Sequence, residues 1–260
     1  MRSLAAAALF AALATPAARA EGVQHACDVP FEAAHLANPL PRVAHRLAAG
    51  EPITIVAIGS SSTAGAGASS PAASYPSRLQ VELTQLFPRQ KFTVLNRGVN
   101  GEEVNDMLRR FDTAVVAERP DLVLWQLGTN SVIRERPLID HGVSIRNGIN
   151  TIKLIGSDIV LVDPQFAPKV IVKPGAARMV DLIGVTAKAE SVDLFHRFDL
   201  MRRWHDVEHM TFEDFVSPDG LHMNDWSYGC VAKVMAAAIA EAATRPVTSA
   251  SASAVVRPAP

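Results

Sequence analysis

Asp219 and His222 stand three residues apart in Ser217-Pro218-Asp219-Gly220-Leu221-His222. At that spacing a carboxylate on one turn reaches an imidazole, fixes its tautomer and leaves the second ring nitrogen to take a proton from a nucleophile. A candidate nucleophile lies in Gly59-Ser60-Ser61-Ser62-Thr63-Ala64-Gly65, where Ser61 holds the GxS spacing and the adjacent Ser62 is the alternative register. The segment lacks the Lys of a phosphate loop and the GxSxG of a nucleophile elbow, so alone it reads as a turn. Two further segments carry hydrogen-bond donors suited to a developing oxyanion. In Asn96-Arg97-Gly98-Val99-Asn100-Gly101 the last glycine is expected to open a helix and offer its backbone N–H, and Gln126-Leu127-Gly128-Thr129-Asn130 ends in an amide side chain. Each segment alone has an ordinary structural meaning. The signal is the ordered set of four, each at the expected end of a strand or start of a helix.

The elements that must position these groups are readable from periodicity. Short β-rich runs at Ile53–Ile58, Lys91–Leu95, Leu122–Leu127, Ile159–Val162 and Val192–Phe195 alternate with helical patterns at Ser77–Phe87, Val104–Glu118, Leu138–Ile155, Ala176–Ala189 and Trp226–Ala243. Pro88, Pro120 and Gly156 fall just beyond three of the helices, where chain breakers belong. Connections of helical length between successive strands predict an α/β protein with about five mostly parallel strands and helices on both faces. In such sheets reactive groups gather beyond the carboxyl ends of the strands.

The four segments together resemble the SGNH/GDSL hydrolases, a superfamily of serine esterases and lipases, over nearly the whole domain from Ile53 to the last helix. The resemblance implies a three-layer α/β/α, flavodoxin-like fold. It also implies a nucleophile at Ser61, an Asp219–His222 pair and an oxyanion hole built from Ser61, Gly101 and Asn130. No metal or organic cofactor is implied. Two positions depart from the commonest pattern: Ser60 stands where GDS-type members have Asp, and Ser131 where many have the Asp of GTND. The implied function is cleavage of carboxylic esters through an acyl-enzyme, with a preference for short or acetyl groups, including those on carbohydrate. Gln165 to Lys173 and Arg197 to Phe215 are expected to line or cover the pocket.

Two alternatives belong to other classes. His205-Asp206-Val207-Glu208-His209 has the HxxEH spacing of a zinc hydrolase, which would need His205 and His209 on one helix face and a third ligand from elsewhere. A catalytically silent glycan-binding module of the cell envelope would keep the fold without the chemistry.

Composition narrows the partners. The 260 residues carry 25 Lys plus Arg against 26 Asp plus Glu, for a formal net charge of -1, so no excess positive charge is available to grip nucleic acid. At the N-terminus, Arg2, an apolar run from Leu4 to Ala14 and Ala18-Arg19-Ala20 read as a signal peptide over residues 1–20, too short to span a bilayer. Export to the periplasm or medium follows as the expectation, with no stable membrane insertion after cleavage. Residues 21–244 read as one hydrolase domain, and the small residues and prolines of 245–260 as a disordered tail. Cys27 and Cys230 are too few and too far apart for a Cys-rich zinc site; an exported protein pairs them or keeps two buried thiols. Neither the natural substrate nor the oligomeric state is encoded in these motifs.

Overall fold

A computed structural model describes Cys27 and residues 35–246. The signal peptide expected over residues 1–20 and the expected tail beyond residue 246 lie outside the described residues. Arg245, assigned to the tail from sequence, caps the domain instead: its guanidinium donates to Glu241 on the last helix and to the Leu36 carbonyl at 2.6 Å.

The sheet has five strands, β1 (Ile53–Gly59), β2 (Phe92–Gly98), β3 (Leu122–Gln126), β4 (Asp158–Val162) and β5 (Asp193–Phe195), in the order β2-β1-β3-β4-β5. All pairs are parallel, with Gly59 opposite Gly98 and Gln126 opposite Val162 at the carboxyl ends. The near-continuous apolar runs of β1, β3 and β4 are buried, as strands covered on both faces must be. The helices are α1 (Pro41–Ala49), α2 (Ser61–Ala64), α3 (Tyr75–Leu86), α4 (Val104–Leu108), α5 (Phe111–Ala114), α6 (Thr129–Ile133), α7 (His141–Leu154), α8 (Pro168–Ile171), α9 (Ala176–Ala189), α10 (Arg197–Asp206), α11 (Phe212–Phe215) and α12 (Asp225–Thr244). Helix α12 packs on α1 and α3, and α7 on α4 and α9, which gives the three-layer α/β/α sandwich. Among the described residues no helix is long and apolar enough to cross a membrane.

The expected strands are all present, and α9 has the expected bounds. The helix expected over Val104–Glu118 is instead broken into α4, α5 and a short 3-10 turn. Nothing in 104–118 is a chain breaker; the interruption is tertiary. At the break, Arg110 turns its guanidinium inward, donating to the Glu102 carboxylate, to the Arg97 carbonyl at 2.8 Å and, more weakly, to the Gly59 carbonyl at 3.5 Å.

Because β1 has β2 on one side and β3 on the other, the connections leaving β1 and β3 depart to opposite faces. They open a crevice at the carboxyl rim, the topological switch point where doubly wound sheets bind ligands. The expected nucleophile segment follows β1 and the expected Asn130 segment follows β3.

Candidate active site

At the end of β1 the chain turns at Ser60 into the single turn of α2. The turn lies flat on β2 because Gly98 has no side chain: a Cβ there would stand 2.1 Å from the Ala64 nitrogen. Ser61 is 8% exposed, and its Oγ lies 2.8 Å from His222 Nε2. On the other side of the ring, His222 Nδ1 is 2.5 Å from Asp219 Oδ2. An ionised carboxylate only accepts hydrogen bonds, so Nδ1 carries the proton and the Nε2 lone pair faces the serine hydroxyl. Partial burial works against the charge on Asp219. Hydrogen bonds from the ring and backbone N–H of His222, the Leu221 N–H and the Ser217 hydroxyl outweigh it and hold the carboxyl well below the usual range. Ser62, the alternative register, faces the opposite way: it is fully buried and accepts from Arg197 Nη1 at 3.0 Å.

Across the crevice, Asn130 on α6 donates one of its two amide N–H groups to the Glu102 carbonyl at 2.8 Å. Gly101 does not open a helix as expected. It sits in a turn with φ +80°, a left-handed conformation natural to glycine, and α4 begins three residues later at Val104. The intervening Glu103, a residue the sequence reading passed over, secures this loop. Its carboxylate accepts from Ser131 Oγ (3.0 Å), Arg134 Nη1 (2.7 Å) and Arg136 Nε (3.3 Å), and Arg134 also donates to the Gly101 carbonyl at 2.9 Å. Burial opposes the Glu103 charge, but these donors keep its carboxyl below the usual range. Its only sequence signal was an acid pair, Glu102-Glu103, directly after the glycine.

Ser60, in the place of the commoner Asp, donates through both its backbone N–H (2.8 Å) and its hydroxyl (2.9 Å) to Gln126 Oε1 at the end of β3. Ser131, the second departure, serves Glu103. Beyond β4 lies Asp163, fully buried; its Oδ1 accepts from the Phe198 N–H at 2.8 Å, its Oδ2 is unpartnered, and burial pushes the carboxyl up to about 7.

The zinc reading loses its geometric basis. Helix α10 ends at Asp206, and His209 lies beyond it at φ +55°, so His205 and His209 do not share a helix face. His205 stacks on Phe212, with ring centroids 4.6 Å apart. Among the described residues no group of three or more His, Cys, Asp or Glu is placed to hold a metal ion. Of the two segments expected to cover the pocket, Arg197–Phe215 is largely the core-packed α10, burying Phe198, Leu200, Met201 and Trp204. Phe212 and Pro168 do line a hollow of about 330 Å³ together with Gly67, Ser217 and Asn224, beside the Asp219–His222 turn. A larger hollow of about 730 Å³ lies at the other end of the sheet, between α1, Phe87–Gln90 and the end of α12, remote from this chemistry. Cys27 and Cys230 are bonded to each other, Cα atoms 5.5 Å apart, and tie the start of the described chain to α12.

The fold is an α/β sandwich hydrolase architecture, and at its switch point Ser61, His222 and Asp219 are hydrogen-bonded in a row. A model of the Non-GDSL lipase-like family matches residues 26–245, and the chain belongs to that family. This agrees with the resemblance carried by the four segments. No curated protein matches the sequence. Among solved structures, a two-domain esterase (CEX) active on acetylated mannans, co-crystallized with mannopentaose, superposes with a TM-score of 0.69 at 21% identity. The match covers 84% of this chain and 58% of that one, so this chain spans little more than half of the two-domain protein. A mutant of Axe2, an acetyl xylan esterase from Geobacillus stearothermophilus, gives 0.63 at 18% identity over 72% of this chain and 94% of that one. LAE5, an alpha/beta hydrolase enzyme from the metagenome of Lake Arreo, Spain, gives 0.62 at 21% over 74% and 97%.

Proposed function

We propose that this protein is an exported serine esterase that removes short acyl groups, acetyl above all, from carbohydrate. The observation that carries the reading is the unbroken relay from Ser61 Oγ through His222 to Asp219, with the serine just reachable from solvent. A serine hydroxyl is a weak nucleophile at neutral pH. His222 Nε2 takes its proton as Oγ bonds to the acyl carbon, and returns that proton to the leaving alcohol as the ester C–O bond breaks. Asp219, held ionised, stabilises the imidazolium formed in between. The tetrahedral oxyanion is bound by the N–H groups of Ser61 and Gly101 and by the remaining N–H of the Asn130 amide. Water, deprotonated by the same imidazole, then attacks the acyl-enzyme and releases the acid. The acetyl preference is supported by the solved structures of similar fold, described as active on acetylated mannans or acetyl xylan. Export is supported by the leader-like residues 1–20.

Hydrolysis of p-nitrophenyl esters from acetate to decanoate, and of acetylated manno- and xylo-oligosaccharides, tests the proposal, with a fluorophosphonate and EDTA as probes. Turnover fastest on acetate, stopped by the phosphonate and untouched by EDTA, is the expected result. Silence on every ester at high enzyme loading would overturn it in favour of a binding module.

A further inference from the structure

We infer that Gln165 and Arg197 are positioning residues that hold Ser61 against His222, an inference that rests on the serine-esterase reading above. Helix α2 is one turn long, too short to be rigid through its own hydrogen bonds. Its placement must come from outside, and the structure supplies a buried circuit that leaves the residue before Ser61 and returns at the residue after it. Ser60 bonds to Gln126 Oε1; Gln126 Nε2 donates to Thr129 Oγ1 at 3.4 Å; Thr129 Oγ1 donates to Gln165 Oε1 at 2.9 Å. Gln165 Oε1 also accepts from Arg197 Nη2 at 3.1 Å, and Arg197 Nη1 closes the circuit on Ser62 Oγ at 3.0 Å. None of these six side chains belongs to a residue more than 2% exposed.

Two further bonds give the circuit a direction. Arg197 Nε and Nη2 donate to the Asp163 carbonyl at 3.0 and 2.7 Å, which fastens the fork to the chain just beyond β4. Gln165 Nε2 donates to the Leu221 carbonyl at 3.3 Å, one residue before His222. Gln165 therefore touches both halves of the relay: the serine turn through Arg197 and the histidine turn through Leu221. A guanidinium and two carboxamides cost several kcal/mol to bury unless their donors are met, and apolar side chains fill such volume without that cost. What the polar set supplies is direction, and a nucleophile displaced by about 1 Å loses on the order of 100-fold in rate.

The test compares Ser62→Ala, Gln165→Met, Arg197→Lys and Arg197→Met with wild type. Rates are expressed per fluorophosphonate-titratable serine, so that misfolded molecules do not count, and the second-order rate of phosphonate labelling reports on Ser61 directly. Ser62→Ala is expected to lower kcat about 10-fold and Gln165→Met about 10- to 100-fold, with KM within about 2-fold and phosphonate labelling slowed in parallel. Arg197→Lys, which keeps a buried donor, is expected to retain more activity than Arg197→Met. If the Arg197 variants do not fold, Ser62→Ala and Gln165→Met decide alone. Wild-type kcat and labelling rate in both, whatever their melting temperatures, would overturn the positioning role and leave the esterase standing. A wild-type protein that neither hydrolyses esters nor reacts with phosphonate would instead remove the esterase reading, and the positioning role with it.

Discussion

The two rims of the sheet both bury polar groups, but of different kinds. At the amino rim, besides Ser157, the buried polar groups are acids: Asp121 just before β3, Asp158 opening β4 and Asp193 opening β5. Each is committed to a fixed partner in the N-terminal segment. Asp121 accepts from Arg42 and Arg46 Nε at 2.9 Å each, Asp158 from the backbone N–H groups of Val43 (2.9 Å) and Arg42 (3.2 Å), and Asp193 from Asn38. Asp158 thereby supplies the N-terminal cap that α1, entered from Leu40, lacks in its own sequence. At the carboxyl rim the serine turn rests mainly on neutral amides and hydroxyls around Arg197, with one buried acid, Asp163, beyond β4, while Asp219, paired with His222, has a side chain 44% exposed. Carboxyl groups held by fixed donors tie the amino rim to the N-terminal segment. The carboxylate paired with His222 stays in contact with water.

The largest effect that separates the rims is Ser61→Ala, expected to lower ester turnover about 10⁴-fold or more with an unchanged thermal midpoint. Full activity there, with Ser62→Ala dead, would move the nucleophile by one residue. Loss of the Cys27–Cys230 bond by reduction or double Ser substitution should cost on the order of 5 kcal/mol in the chain-entropy model, because the bridge closes a separation of 203 residues. Denaturant titration reads this loss, while kcat per folded molecule should hold; two free thiols in the untreated, denatured protein would exclude the bond. Asn130→Ala should lower kcat about 100-fold, or ~3 kcal/mol, and change KM little. Equal kcat would take Asn130 out of the oxyanion hole. Asp158→Ala is the mirror case: about 2 kcal/mol of stability lost as the first N–H groups of α1 go unpaired, with kcat per folded molecule unchanged.

The last effect is on pH dependence. Burial raises Asp158 to about 6, against the N–H groups that donate to it, and Asp163 to about 7. Both hold a proton more tightly folded than unfolded, so their contribution to stability is complete below about pH 4 and is lost as pH rises through 6 and 7. Asp219, shifted the other way, adds stability above about pH 4 that is lost only in stronger acid. Between pH 5 and 8 the melting temperature should therefore fall. Asp163→Asn should flatten the upper part of that slope and Asp158→Asn the lower part, and a slope unaltered by either variant would count against both assignments.

Much of this was legible in the chain because it is local. Apolar runs such as Ile53–Ile58 and the 3.6-residue period of Ala176–Ala189 set the elements, and chain breakers such as Pro88 and Gly156 set their ends. Helix α1 was missed although Pro41 in its first turn and Gly50 past its end are a standard pair of boundary signals. The four motifs that converge at the rim, including the three-residue spacing of Asp219 and His222, were readable for the same reason: each lies within one turn. Only the folded chain decided what depends on residues far apart in sequence. The choice of Ser61 over Ser62 as the group facing His222 was made by Arg197, 135 residues away, which takes the other hydroxyl. Arg110 broke an apparently continuous helix, Glu103 became the anchor of the Gly101 loop, and the HxxEH pair was separated by the end of α10. A periodic pattern records which face of an element is buried. It holds no record of which distant donor will meet a given oxygen, and at this site those pairings set the chemistry.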